Sequence, residues 1–297
     1  MKPDRLMYRL GMALALVGGL LTVAAPAHAW LDIHSGSALI IDHHGNRLFS
    51  KNIDEVRPIA SITKLMMAMV VLDADLPMDD RITIIEADRD RLRWSRSRLR
   101  IGEATLSRTD LLRVALMSSD NRAAAALGRT TFADGTPRFV EAMNAKAAAL
   151  GMRDSHFADP TGLDAGNQST AEDLVRLVHA AAQYPFIREV TSTGEFTAHP
   201  YDDRGPVQYR NTNPLVRDTR WTVELSKTGY IHEAGRCLVM QAQVADRRLY
   251  IVLLNGDGKL TPVGDANRLR DWLRQHPDPG GEDEPAPHRT AVAASGR

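Results

Sequence analysis

Hydrophobic and polar positions fall into blocks of different period along the chain. Ser37 to Asp42 (SALIID) and Arg47 to Lys51 (RLFSK) are short apolar-rich runs separated by His43-His44-Gly45-Asn46, the pattern of a β-hairpin. From Ser61 to Leu72 the chain reads SITKLMMAMVVL, apolar on every helical face except at Ser61, Thr63 and Lys64, which predicts a buried helix. Arg81 to Ile85 predicts a short strand, Leu111 to Gly128 one Ala- and Leu-rich helix, and Phe139 to Leu150 another, stopped by Gly151. Ser169 and Thr170, with Glu172 and Asp173 three residues on, predict the N-cap of a helix reaching about Gln183. After residue 220 the period changes. Thr222 to Thr228, Cys237 to Ala245 and Leu249 to Leu254 predict strands, the last two joined by a turn at Asp246-Arg247-Arg248. Val263 to Gln275 predicts a closing helix with Val263, Ala266, Leu269 and Leu273 on one face. Strands at both chain ends with helices between them predict an α+β fold. Its antiparallel β-sheet is expected to be built from residues 30–60 and 222–276, with a mainly helical lobe, 61–221, inserted.

The two termini follow neither pattern. Residues 1–29 have the form of a cleaved signal peptide: Lys2, Arg5 and Arg9 precede the apolar run Leu10 to Ala25, and Ala27-His28-Ala29 is a small-x-small cleavage site. A sixteen-residue run containing Gly18 and Gly19 is short for a membrane span. Export, to the periplasm, is therefore expected. Residues 277–297 hold four Pro and three Gly with few aliphatic side chains, and predict a disordered tail. No internal repeat is visible.

Composition then narrows the function. Thirty-seven basic side chains balance thirty-seven acidic ones, and removal of residues 1–29 leaves a net charge of −2, so no strong field points to nucleic acid. A single cysteine, Cys237, excludes an intramolecular disulfide and a C-x-x-C site; inside an apolar strand it reads as a small buried hydrophobe. The basic residues comprise 31 Arg and only 6 Lys, which makes each lysine informative.

Lys64 lies one helical turn after Ser61, so the two side chains share a face. A lysine in an apolar helix is desolvated, which lowers its pKa and turns it into a base at neutral pH. A base beside a serine hydroxyl is the arrangement that makes serine nucleophilic. Two further clusters accompany it. Ser119-Asp120-Asn121 falls within the second Ala-rich helical stretch, and Lys227-Thr228-Gly229 at the end of a predicted strand, where glycine permits close approach of a bound chain. S-x-x-K, S-x-N and K-T-G, in that order on helix, helix and strand, are the signature set of penicillin-interacting serine enzymes.

On these residues the chain resembles the low-molecular-mass penicillin-binding proteins, serine D-alanyl-D-alanine peptidases with a β-lactamase/transpeptidase-like fold. The resemblance runs from about Ser37 to Trp272. It includes Pro58 to Met66, Leu116 to Ala124 and Pro160-Thr161-Gly162-Leu163. With Arg210 to Asn213 and Gly235 to Met240, it is most similar to the D-alanyl-D-alanine endopeptidase branch. The resemblance implies that Ser61 attacks a D-alanyl carbonyl to form an acyl-enzyme while Lys64 takes its proton. Ser119 would relay a proton to the leaving amine, and Asn121 would hold the substrate amide or orient Lys64. It further implies that Lys227 and Thr228 bind the substrate or β-lactam carboxylate. The backbone N–H groups of Ser61 and Tyr230 would form an oxyanion hole, and the strand through Gly229 to Tyr230 would pair with substrate backbone. Peptidoglycan stem peptides are the implied substrate, β-lactam antibiotics the implied covalent inhibitors, and no cofactor is implied.

Three functional alternatives stay open: an endopeptidase cutting cross-links, a carboxypeptidase removing terminal D-alanine, and a sensor that captures penicillin or muropeptide without turnover. A β-lactamase would need a deacylating glutamate, and Glu172 lies instead in a helix start without the expected pattern. The basic run Arg89, Arg91, Arg93, Arg96, Arg98 and Arg100 could meet cell-wall carboxylates, and is read more simply as a solvated face. None of the ten histidines makes an H-E-x-x-H set, His232-Glu233 lacking the second histidine, so a metal peptidase is not expected. Gly256-x-Gly258 reads as a turn rather than a nucleotide loop.

Overall fold

The computed structural model describes residues 31–276; the segments read as signal peptide and tail lie outside them. Strands β1 (Ser37–Asp42) and β2 (Arg47–Lys51) form a hairpin, and β3 (Arg57–Pro58) leads through a tight turn at Ala60–Ile62 into helix α1 (Thr63–Asp73). A small pair, β4 (Arg81–Thr83) with β5 (Thr105–Ser107), precedes helices α2 (Arg108–Met117), α3 (Asn121–Thr130) and α4 (Gly135–Ala149). Next come β6 (Gln168–Ser169), paired with β3, helices α5 (Ala171–Ala181) and α6 (Pro185–Ser192), and the hairpin β7 (Glu195–Ala198) and β8 (Val207–Arg210). The chain closes with β9 (Thr222–Ile231), β10 (Gly235–Val244), β11 (Arg247–Gly256) and helix α7 (Thr261–Gln275).

Five strands pair antiparallel in the order β2-β1-β11-β10-β9, so the two ends of the chain meet in the sheet, with Ser37 opposite Leu254. Both faces are covered, which is why β1, β10 and β11 read as continuous apolar runs rather than as alternation. Ala38, Ile40, Leu238, Met240, Ile251 and Leu253 pack with Ala266, Leu269 and Leu273 of α7. Leu39, Val239, Val252 and Leu254 belong to the opposite core, with α1 and the helices around it. The prediction of an apolar-all-round helix at Ser61 to Leu72 corresponds to α1, whose residues Thr63 to Val71 are all buried. Strand β9 is a sheet edge lying beside Ala60–Ile62 and α6.

Three expectations differ from what is observed. The single helix expected over Leu111 to Gly128 is two, α2 and α3. Ser119 adopts a left-handed φ of 61°, and Asp120 restarts the chain as an N-cap, accepting from the N–H groups of Arg122 (3.0 Å) and Ala123 (3.1 Å). Ser119-Asp120-Asn121 is thus a helix junction, not helix interior. Lys227-Thr228-Gly229 does not end its strand, because β9 continues to Ile231 in register with Gly235. The turn before β11 centres on Ala245-Asp246, both left-handed (φ 48° and 61°), as a two-residue hairpin requires. Helix α6 and the β7–β8 hairpin were not foreseen at all.

Candidate active site

Ser61 sits in the tight turn before α1, and Lys64 in that helix's first turn, facing it. The turn is unusual in its backbone: Ala60 is left-handed, with φ 48°. Two glycines grip it from outside. A Cβ on Gly162 would lie 2.0 Å from the Ala60 carbonyl oxygen, and one on Gly229 would lie 2.8 Å from the Ile59 carbonyl oxygen and 3.2 Å from the Ser61 nitrogen. Only glycine allows the 160–163 loop and strand β9 to approach the serine this closely.

Lys64 is fully buried, and its Nζ donates to Ser61 Oγ (2.9 Å), Asn121 Oδ1 (2.7 Å) and the Thr161 carbonyl (2.6 Å). Burial pulls its pKa down to about 8, while the charges of Asp159 and Asp120 pull the other way. Asp159 also shapes the loop supplying that carbonyl. Its carboxylate accepts from the N–H groups of Thr161 (2.6 Å), Gly162 (2.6 Å) and Asp164 (2.8 Å) and from the Thr161 hydroxyl (2.9 Å).

The junction between α2 and α3 supplies the second wall. Its left-handed Ser119 brings Oγ within 2.9 Å of Lys227 Nζ, which also donates to the Thr228 carbonyl at 2.9 Å. Lys227 is almost completely buried, and desolvation, then the charge of Lys64, hold its pKa well below the ordinary lysine range. Asp120 is buried too, which raises its carboxyl above the usual range against a hydrogen bond from Ser97. Asn121 is held from behind, its Nδ2 donating to Ser95 Oγ at 2.8 Å, so that Oδ1 faces Lys64. On the third wall, β9, the Thr228 hydroxyl donates to Thr212 Oγ1 at 2.6 Å. Tyr230 is exposed, with the Arg236 guanidinium 3.7 Å from its ring centre.

The predicted site residues therefore fall into two hydrogen-bonded clusters, Ser61 with Lys64 and Asn121, and Ser119 with Lys227 and Thr228. Gly229 packs on the serine turn, and Tyr230 continues its strand outward. Sequence reasoning missed four participants. The Thr161 carbonyl and Asp159 lie in or beside a run noticed only for its resemblance, and a backbone acceptor carries no residue-type signal. Ser95 was hidden in the arginine run, and Thr212 between two asparagines. Asn211 and Asn213 are buried, and the Thr212 N–H bonds the Met117 carbonyl at 3.1 Å, which anchors this loop to the helix junction. No group of three or more His, Cys, Asp or Glu able to hold a metal occurs among the described residues.

This arrangement couples a hydroxyl to a buried amine of lowered pKa, which suits acyl transfer through a serine ester. The comparisons with known proteins agree with that chemistry. A family model described as D-alanyl-D-alanine carboxypeptidase matches residues 22–258. A D-alanyl-D-alanine endopeptidase of Pseudomonas aeruginosa is 47% identical over 82% of this chain and 78% of its own length. One from Escherichia coli is 43% identical over 85% of this chain and 81% of its own. Among solved structures, the Streptomyces K15 DD-transpeptidase superposes with a TM-score of 0.74 at 26% identity, covering 82% of this chain and 98% of that one.

Proposed function

We propose that this chain, which belongs to the D-alanyl-D-alanine carboxypeptidase family of serine peptidases, is an endopeptidase that opens D-alanyl cross-links between peptidoglycan stem peptides in the periplasm. The observation that carries the chemistry is the 2.9 Å hydrogen bond between Ser61 Oγ and a fully buried Lys64 whose pKa is about 8. At pH 7 such an amine is neutral in about a tenth of molecules, enough to serve as a general base.

Ser61 Oγ attacks the D-alanyl carbonyl carbon as Lys64 Nζ accepts the hydroxyl proton. The tetrahedral oxyanion sits against the N–H groups of Ser61 and Tyr230. Collapse breaks the C–N bond, and the leaving amine takes a proton passed from Lys64 through Ser119. Water then attacks the ester carbonyl, giving one proton to Lys64 Nζ, which passes it to Ser61 Oγ as the ester C–O bond breaks and the acid leaves. Asn121 keeps Lys64 aimed at the serine. The carboxylate end of the substrate, or of a β-lactam, lies over the Thr228 and Thr212 hydroxyls with Lys227 beneath. Edge strand β9 pairs with the substrate backbone. A β-lactam acylates the same serine and leaves slowly. The choice of endopeptidase over carboxypeptidase rests on the names of the two relatives above 40% identity.

The test is to incubate the protein and its Ser61→Ala variant with a muropeptide mixture of cross-linked dimers and pentapeptide monomers, following each species by mass. Conversion of dimers to monomers, absent in the variant, is expected. Shortening of pentapeptides with dimers untouched would instead make it a carboxypeptidase, and no change in either would leave a penicillin sensor.

A further inference from the structure

The segment Leu92 to Leu99 crosses the rim of the site as a strap whose side chains alternate between two destinations. One row points inward and is fastened. Arg93 Nε donates to the Leu163 carbonyl (2.6 Å) and its Nη2 pairs with Glu233 (2.9 Å). Ser95 Oγ takes the Asn121 amide (2.8 Å), Ser97 Oγ donates to Asp120 (2.7 Å), and Leu99 is buried. The strap is also fixed by its own backbone, since the Asp90 carboxylate accepts the N–H groups of Leu92 (2.9 Å), Arg93 (3.0 Å) and Ser95 (2.7 Å).

The other row points to solvent. Leu92 is 66% exposed and Trp94 71%, and Arg96 stands exposed beside them. Trp94 is left-handed, with φ 53°, a conformation that costs a bulky side chain on the order of 1 kcal/mol. Neither its indole nor the Arg96 guanidinium has a hydrogen bond, ion pair or ring contact among the described residues. A rigid strap thus holds an indole and a free guanidinium two residues apart on its solvent side. Both lie within one residue of the Ser95–Asn121 hydrogen bond of the site.

The geometry points to an extended subsite for the polymer that carries the scissile bond: the indole face receives the apolar face of a sugar ring, and Arg96 a carboxylate of the attached peptide. An exposed flat ring and a planar cationic fork suit a chain in which sugars and carboxylate-bearing peptides recur. The inference rests on the reading of the site as a peptidoglycan peptidase and adds to it the two strap residues, Trp94 and Arg96, that hold the polymer beyond the scissile bond.

The test compares cleavage of purified insoluble sacculi with acylation by fluorescent penicillin, in wild type, Trp94→Ala, Trp94→Tyr and Arg96→Ala. Trp94→Ala should slow release from sacculi about tenfold, mainly through KM, while penicillin acylation stays within twofold and reports an intact fold and site. Trp94→Tyr should restore most of the rate, and Arg96→Ala should lose about threefold. Sacculi cut at the wild-type rate by Trp94→Ala would overturn the inference. So would a parallel loss of penicillin acylation, which would make the strap part of the catalytic framework. If wild type acylates penicillin yet leaves sacculi uncut, the peptidase reading fails on its own. Co-sedimentation of Ser61→Ala with sacculi, with and without Trp94→Ala, then decides the subsite: equal binding by both overturns it.

Discussion

The two faces of the sheet each bury an ionisable side chain, and they answer its charge in opposite ways. On the α7 face, Asp265 is fully buried, yet accepts from the His34 N–H (2.9 Å), the Ser35 N–H (2.8 Å) and the Ser35 hydroxyl (2.5 Å), and pairs with Arg268. On the α1 face, Lys64 is equally inaccessible but touches only neutral oxygens: a hydroxyl, an amide and a backbone carbonyl. A carboxylate met by three donors and a cation becomes a staple, fastening the segment before β1 to the last helix. An ammonium met by neutral acceptors keeps an incentive to lose its proton. Burial alone does not distinguish framework from chemistry; the charge of the partners does.

The sharpest way to break this comparison is Lys64→Met. Under the proposed mechanism it should lower penicillin acylation at least about 1000-fold, because no base remains for Ser61. It should also change the pH dependence of stability. The Lys64 pKa is about 8 in the folded protein against an ordinary 10.5, so the unfolded chain binds more protons between those values. Wild-type stability should therefore rise with pH across that window, by about 3 kcal/mol from this group, and the rise in denaturant midpoint should be smaller in the Met variant, where of the two buried lysines only Lys227 still contributes. Near-normal acylation by the variant would remove Lys64 from the mechanism.

Asp265→Ala tests the other face. It strips the acceptor from two backbone N–H groups and a buried hydroxyl, and should cost about 3 kcal/mol in chemical denaturation. Acylation per folded molecule should stay within twofold. A loss of acylation without a loss of stability would reverse the roles assigned to the two faces. The mildest effect is the wild-type pH profile. Acylation should climb about tenfold per unit below pH 8 and level off above it, and a flat profile from 6 to 9 would mean that Lys64 does not titrate in the rate-determining step.

Much of this was legible along the chain, for reasons that differ by element. Strands β1 and β2 coincide with the runs Ser37 to Asp42 and Arg47 to Lys51, because each is a dense apolar or alternating run cut off by turn residues. The Ser61–Lys64 pair was visible because it shares one helical turn. The Ser119 junction was not, since its Ala- and Leu-rich flanks outweigh a short polar break; Asp120 two residues ahead of an N–H it caps was the available sign. Helix α6 and hairpin β7–β8 are short, and α6 packs on β9, far away in sequence. The Thr161 carbonyl and the need for glycine at 162 exist only in the assembled fold, where loop and serine turn meet.

That meeting has a consequence for when the protein becomes reactive. Ser61 and Lys64 lie close in sequence, and a nascent chain could form their helix early. The serine turn, however, is set from one side by the 160–163 loop and from the other by β9, whose Gly229 rests on it. Strand β9 itself is the outermost strand of a sheet that closes only when β1 finds β11 across almost the whole described chain. Contacts of such long sequence separation form late. The nucleophile is therefore expected to react only once the 160–163 loop and β9 are seated on its turn, so covalent penicillin capture should report that docking rather than the growth of the first helix.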